Sequence, residues 1–558
     1  AQPTKASASR SAPGRSAPRS QRARVHGSGW RASCSSMAAT KPAGIRQNGS
    51  ALASKSKSVG TRPLYQDSAC VLALCQTHAC MPEPEPSERK RRVALDPESL
   101  IRALVDEGSW LPLTPGGASS PYRYGPEVCT GLGTIDGRRV ALYVIDQAHD
   151  KGFVTSAGAD KIRRVMDRAE ELGVPVVALL GSAGVSVEEG LRSGEAYTRV
   201  ITGNIRLSGV VPQIAVVLSV TMGAPAYSAT LQDFVLFNKL RSHLMVTGPA
   251  VVTSVLGETP TLAELGGATV HAETTGIADI VDRTLEDQLL RVRELLRYLP
   301  SHRLMDPPRS PVVAPTAPLP EVPARPELAF DMLSFIEGLV DGSEFLELGA
   351  LTGGAMLTGF ARLGGHVVGL VANQSLESGG AITALAARKA ARFIRRCDAY
   401  NVPILNLIDV PGFMPGVAEE SAGLLRHGAN LCQAMSTSVP RLSVVVRKCY
   451  GAAAFVMLQT RSQDGDVVLA LEGSRIAVMG FDAARQLVFR DASPEESDER
   501  LRTRYYDEYE SPAVAYAAGM IDEVVTPLEL RARLMQHLDW LAQKRERPAV
   551  ARRHVLSP

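Results

Sequence analysis

From about Val93 to Leu304, short apolar runs rich in Val and Ile alternate with longer stretches of helical period, and the same alternation resumes from about Ala329 to Arg547. Strand-length runs interleaved with amphipathic stretches predict an α/β architecture in both regions. Between them stand Pro307, Pro308, Pro311, Pro315, Pro318, Pro320, Pro323 and Pro326. Each ring fixes φ and removes a backbone donor, so this stretch is expected to be an extended linker. Helices are expected around Lys161–Leu172 and Arg388–Tyr400, each delivering the chain to a Val-Pro that opens a buried strand.

The two regions match each other. VPQIAVVLSVTMGAPA, Val211–Ala226, aligns with VPRLSVVVRKCYGAAA, Val439–Ala454, at an offset of 439 − 211 = 228. Val174-Pro175 pairs with Val402-Pro403 at the same offset, Asp146-Gln147 pairs with Asn373-Gln374 at 227, and Ser242 pairs with Ser474 at 232. A repeat this long signifies two domains of one fold, since solenoid periods run to roughly 20–50 residues. The expected organisation is a disordered or non-native extension over 1–92, a first domain over 93–304, the linker over 305–328 and a second domain over 329–550.

Composition narrows the function classes. The 558 residues are 45% hydrophobic and 21% charged, the balance of a globular protein. No apolar run reaches the roughly 18–20 residues that cross a bilayer, so no membrane association is expected. The net charge is +3, yet residues 1–66 hold twelve Lys or Arg and no acid, so the remainder carries 49 basic against 58 acidic residues. That argues against nucleic acid as a partner. The basic, Ser- and Ala-rich start has transit-peptide composition, which sets a mitochondrial matrix location against a cytoplasmic one. The chain begins at Ala1, with Met37 and Met81 as alternative starts. Cys70, Cys75, Cys80 and His78 lack the paired spacing of a zinc site, so no metal is expected. Cys129, Cys397, Cys432 and Cys449 are expected to be reduced.

Each region has one apolar strand ending in a small-residue turn, Met222-Gly223-Ala224-Pro225-Ala226 and Tyr450-Gly451-Ala452-Ala453-Ala454. Small residues let a backbone approach a ligand, and a following helix adds free N–H groups and a favourable dipole for negative charge. That is how an oxyanion hole is built. Tight helix–strand packing would also explain one such turn, but packing does not require two at equivalent places. No Ser-His-Asp order, HExxH or GxxxxGK[ST] pattern is present.

The residues resemble a family. YSATLQDF, SHLMVTGPAVV and ELGGATVH in the first region, and VVANQSLESGG, KAARFIRRCDAYNVPI, DVPGFMPG, RKCYGAAA and DVVLALEGSRIAVMG in the second, are similar to carboxyltransferase β subunits of biotin-dependent acyl-CoA carboxylases. The resemblance spans about residues 93–550. It implies two tandem crotonase-like domains of the ClpP/crotonase superfamily, with the acyl-CoA thioester on the first and biotin on the second. Biotin would be carried by a partner α subunit with biotin carboxylase and carboxyl carrier parts. The site would form between subunits of a homo-hexamer or mixed hexamer. No side-chain base is implied.

Carried over to this sequence, Gly223 and Ala224 would donate N–H groups to the thioester oxygen, and Ala452 and Ala453 to the biotin-side oxygen. Gly184, Gly451, Phe455, Pro411, Gly412 and Phe413 would line the site. Three departures stand out. The family commonly has Gly-Gly-Ala in both turns, whereas Pro225 here has no N–H. Ala454-Phe455 replaces a frequent Tyr-Asp, so a substrate preference unlike plain propionyl-CoA is expected unless Phe455 is a core aromatic. GSAGVSVEEG, Gly181–Gly190, replaces a sequence like DSGGARIQEG. Arg163, Arg164, Arg168, Arg392, Arg395 and Arg396 are expected on solvated faces or in salt bridges, and His243 and His427 in structural roles. The alternatives are the α subunit of a biotin-dependent decarboxylase, and a non-catalytic paralogue completing a mixed hexamer.

Overall fold

The computed structural model describes residues 95–113, 124–493, 496–542 and 544. The expectations for residues 1–92, including the Cys70–Cys80 cluster, lie outside them.

Two sheets carry the repeat. The first contains β1 (Leu111–Pro112), β2 (Val128–Ile135), β3 (Arg138–Ile145), β4 (Val176–Ser182), β5 (Gln213–Met222), β6 (Phe234–Asn238), β7 (His243–Met245) and β8 (Ile280–Asp282). The second contains β9 (Phe345–Glu347), β10 (Met356–Leu363), β11 (His366–Asn373), β12 (Ile404–Val410), β13 (Arg441–Tyr450), β14 (Val467–Leu471), β15 (Arg475–Ala477) and β16 (Glu523–Val525). Their orders, β1-β2-β3-β4-β5-β6-β8 and β9-β10-β11-β12-β13-β14-β16, are the same, with β7 on β5 and β15 on β13. The first three strands of each sheet pair antiparallel and the rest parallel.

Each Val-Pro does what its chemistry allows. A proline at the mouth of a strand has no N–H to offer the ladder but keeps its carbonyl. Pro175, Pro212, Pro403 and Pro440 accept from Ala141, Val176, Gly369 and Ile404 at 2.8 Å each. The long helices behind the sheets, Ser156–Leu172 and Ala384–Ala399, start at the equivalent caps Thr155 and Thr383, whose hydroxyls accept from the third following amide.

One anchor moves by a residue. β3 and β11 start at Arg138 and His366, an offset of 228, so Asn373 corresponds to Ile145 and Gln374 to Asp146. The Asp146 and Gln374 amides confirm it, donating to Glu127 and Ala355 at 2.8 and 2.9 Å.

The halves share a core. Phe234 and Tyr298 from the first meet Phe360 of the second at 6.1 and 5.9 Å between ring centroids, and Phe360 meets Phe393 at 5.2 Å. Beside them Arg396 grips buried Asp279 through two bonds of 2.7 and 3.0 Å, and Arg392 stands 3.6 Å away. Burial pushes the Asp279 carboxyl upward, but Arg392 and Arg396 outweigh it and hold it below its ordinary value. Arg392 and Arg396 thus belong to a buried salt bridge rather than a solvated face. The proline-rich stretch is extended but held: Ser310 N–H donates to Gly365, and Arg531 donates to the Val313 carbonyl.

Candidate active site

At the ends of β5 and β13 the chain passes directly into helices Ala224–Thr230 and Gly451–Leu458. Gly223 has φ +65° and Gly451 φ +66°, the left-handed side that a Cβ disfavours. A Cβ at these positions would meet nothing closer than 3.9 and 3.7 Å, so backbone conformation rather than tight packing calls for glycine. The small-residue turns are therefore open above, with helix amides beneath.

Their donors differ. The Gly223 N–H is bonded to the Met245 carbonyl at 3.2 Å. Where Gly223 and Ala224 are both expected to donate to a ligand, the Gly223 N–H already has this partner within the chain, and Ala224 is the first helical residue. Pro225 has no N–H, and Ala226 and Tyr227 donate to the Gly223 carbonyl at 3.0 and 3.2 Å. Proline is well accommodated in a first helical turn, where amides lack intrahelical acceptors anyway. In the second half, Ala452 and Ala453 both sit in the first turn with N–H groups intact.

The divergent loop keeps its shape. Val154 N–H donates to Gly184 O and Ser186 N–H to Val154 O, at 2.9 and 2.8 Å. Ile382 to Gly412 and Met414 to Ile382 repeat this pair at 3.0 Å each. Gly184 and Gly412 have φ +123° and +149°, and the Gly184 Cα lies 3.9 Å from the place of a Gly223 Cβ. Gly184 is thus brought against the first turn. Pro411 is exposed, Gly412 and Phe413 half-buried, and a Cβ at Gly412 would meet nothing within 4 Å. Phe455 is 51% exposed and its repeat counterpart Tyr227 52%, which sets aside a core role for either ring.

A charged brace was missed from the sequence. Asp409, fully buried at the end of β12, accepts from Arg447 at 2.7 and 3.1 Å and from Lys448 Nζ at 2.9 Å. Arg447 also donates to the Leu328 carbonyl and Ser375 hydroxyl. Burial pulls the Lys448 ammonium down, with Asp409 opposing. Just beyond, the Tyr450 hydroxyl donates to buried Glu510, which also receives Arg475 at 2.8 Å. The signal available was DVPGFMPG followed 38 residues later by the Arg-Lys of VVVRKCYG, two polar departures inside apolar strands. Among the described residues no His, Cys, Asp and Glu group could hold a metal ion, and no helix is long and apolar enough to cross a membrane.

The carboxyl transferase domain profile matches residues 90–556. The chain is 38% identical to a propionyl-CoA carboxylase carboxyltransferase subunit of Haloferax mediterranei over 433 residues, 76% of this chain and 84% of that one. It is 37% identical to a propionyl-CoA carboxylase beta chain of Saccharopolyspora erythraea over 481 residues, 80% and 87% of the two. Among solved structures, the transcarboxylase 12S hexamer with methylmalonyl-coenzyme A bound superposes with a TM-score of 0.75 at 33% identity, covering 81% of this chain and 91% of that one. These likenesses favour the carboxylase reading over the decarboxylase and the non-catalytic paralogue. Two crotonase-like halves that each end a central strand in an open helix N-terminus thus belong to the carboxyl transferase family, and the chain is a carboxyltransferase of the biotin-dependent acyl-CoA carboxylases.

Proposed function

We propose that this chain carboxylates the α-carbon of an acyl-CoA, with residues 93–304 holding the thioester and residues 329–550 the biotin of a partner's carrier domain. The observation that carries it is the pair of open turns at Gly223 and Gly451 in registered halves. Carboxybiotin, when bound, brings a transferable carboxyl group on a ring nitrogen. The residues fit such a group: the space beside Gly412 is open, with nothing within 4 Å of a Cβ there, and Ala452 and Ala453 lie in the first turn of a helix, where amides lack intrahelical acceptors. Ala224 N–H, with the dipole of its helix, stabilises the charge that develops on the thioester oxygen. One such donor contributes on the order of 10²–10³ in rate. Asp409 with Arg447 and Lys448 fixes the strand ends beneath the second turn, so that positioning does the catalytic work.

A composite site between subunits is supported by matched apolar exposure. Val246, Val255 and Leu256 stand exposed beside the first turn, and Val478, Leu487 and Val488 stand exposed at the 232-residue offset beside the second. Helix Pro249–Leu256 buries none of its residues. Such faces mark an interaction surface. A first half of one copy set against a second half of another covers both and closes the site, as a ring-shaped hexamer requires. The partner supplying biotin is an α subunit with biotin carboxylase and carrier parts, in the cytoplasm or the mitochondrial matrix.

The test is to incubate the chain with a biotinylated α subunit, ATP, bicarbonate and acyl-CoAs of increasing length. Carboxylated product is expected, with a chain-length preference set by Phe455. Hexamers that carboxylate no acyl-CoA overturn the reading. Phe455→Asp is expected to change the relative rates, and an unchanged profile removes Phe455 from specificity.

A further inference from the structure

The seam between the halves holds a cavity of about 180 Å³ lined by Arg388, Lys389, Arg392 and Arg396 of helix Ala384–Ala399, with Asp279, Thr275 and Thr352 opposite. Charge is unbalanced there. Four cations face Asp279 and, 3.9 Å from the Lys389 ammonium, Glu347, and buried Asp233 also acts on Arg392 and Arg396, so 4 − 3 leaves an excess of one positive charge. The Lys389 side chain is 5% exposed, and among the described residues its Nζ makes no hydrogen bond. The Nε groups of Arg392 and Arg396 are likewise buried without a hydrogen-bond partner among the described residues. A buried ammonium without hydrogen bonds costs several kcal/mol and persists where something compensates it.

The other half shows what a compensated version looks like. Lys161, the repeat counterpart of Lys389, donates to the Gly125 carbonyl at 3.1 Å. Asp160, at the position of Arg388, receives Tyr124 and Arg199 at 3.1 and 2.8 Å. There the sequence supplies its own acid, whereas the second half supplies a fourth cation and a cavity.

We propose that this seam cavity is a binding site for a phosphate group, held by the Lys389 ammonium and the Arg392 and Arg388 guanidinium groups. An anion takes up the excess charge, and Arg388 and Arg392, which donate to the Thr275 and Gly276 carbonyls at 2.9 Å each, carry further N–H groups along the same cavity as the Lys389 ammonium. The cavity holds one such oxyanion. The site lies apart from both turns, so occupancy ties the two halves together and acts on stability. It is independent of the carboxylation reading.

The experiment follows thermal unfolding of the purified full chain with increasing inorganic phosphate, and separately adenosine 3′,5′-bisphosphate, against chloride at equal ionic strength. A saturable rise in the unfolding midpoint with either compound is expected, since a ligand that binds only the folded state stabilises by mass action. A response to the nucleotide alone that survives in Lys389→Met is binding of a coenzyme A head group at the acyl-CoA site and overturns the proposal. Lys389→Met is expected to unfold at a higher temperature without phosphate, because a buried charge is gone, and to lose the phosphate response, with affinity reduced roughly tenfold or more. Glu347→Gln removes the competing carboxylate and is expected to tighten binding. No difference from chloride, or an undiminished phosphate response in Lys389→Met, overturns the proposal.

Discussion

The two halves share a backbone plan and differ in how they brace it. In the second, Asp409, Arg447 and Lys448 form a buried cluster beneath the turn. At the same places the first half has Gly181, Ser219 and Val220, and a Cβ at Gly181 would come within 2.5 Å of the Ser219 hydroxyl. The turns nonetheless agree to a degree in φ. Turn geometry is therefore set by the parallel strands and the glycine, and the charges are an addition made in one half. A buried charge cluster stabilises little beyond an apolar one, but losing one member strands the others.

The largest expected effect breaks that asymmetry. Asp409→Ala leaves two buried cations unpaired and is expected to cost about 3–5 kcal/mol by denaturant unfolding. Replacing Asp409, Arg447 and Lys448 together by apolar residues is expected to recover most of that loss. A triple variant as unstable as the single one refutes the bracing account.

Next comes Lys389. Burial pulls the Lys389 ammonium down to about 8, while Glu347 opposes the shift; Arg388, Arg392 and Arg396 share its cavity. In the unfolded chain the group titrates near its ordinary 10.5. Between those values the unfolded chain binds more protons, so stability rises with pH from about 8 to 10.5, and the cost is fully present below 8. The contribution is roughly 3 kcal/mol, read as the difference in pH–stability slope between wild type and Lys389→Met. Equal slopes mean that Lys389 keeps its ordinary affinity for protons.

Gly223→Ala and Gly451→Ala sharpen the comparison of turns. Each forces a Cβ onto positive φ at a cost of roughly 1–2 kcal/mol. Each is expected to lower carboxylation by about 100-fold through misplaced donors, the first raising KM for acyl-CoA and the second KM for the biotinylated partner. Identical KM changes would contradict the division of labour between halves. The smallest effect is expected at Pro225→Ala, where stability changes by less than about 1 kcal/mol. A tenfold gain in rate would show that the missing amide limits the first turn.

Much of this was legible in sequence. The 228-residue repeat, the Val-Pro strand openings and the turns at Gly223 and Gly451 are local signals, because period and backbone conformation depend on a few neighbouring residues. The pairing of Asp146 with Asn373 is one residue off, since an acid followed by Gln looks like an amide followed by Gln, and only the strand register separates them.

What the tertiary structure decided is pairing. That the Gly223 N–H goes to Met245, that Asp409 meets Arg447 and Lys448, that Arg392 and Arg396 leave solvent for Asp279, and that Lys389 is left without a hydrogen bond all follow from segments far apart in the chain coming together. Burial and partnership set the energy of a polar group, and neither is a property of the residue alone. The sequence by itself determined two matched frames with an open turn in each. The packing of one frame against the other decided which donors remain available and where charge is left over.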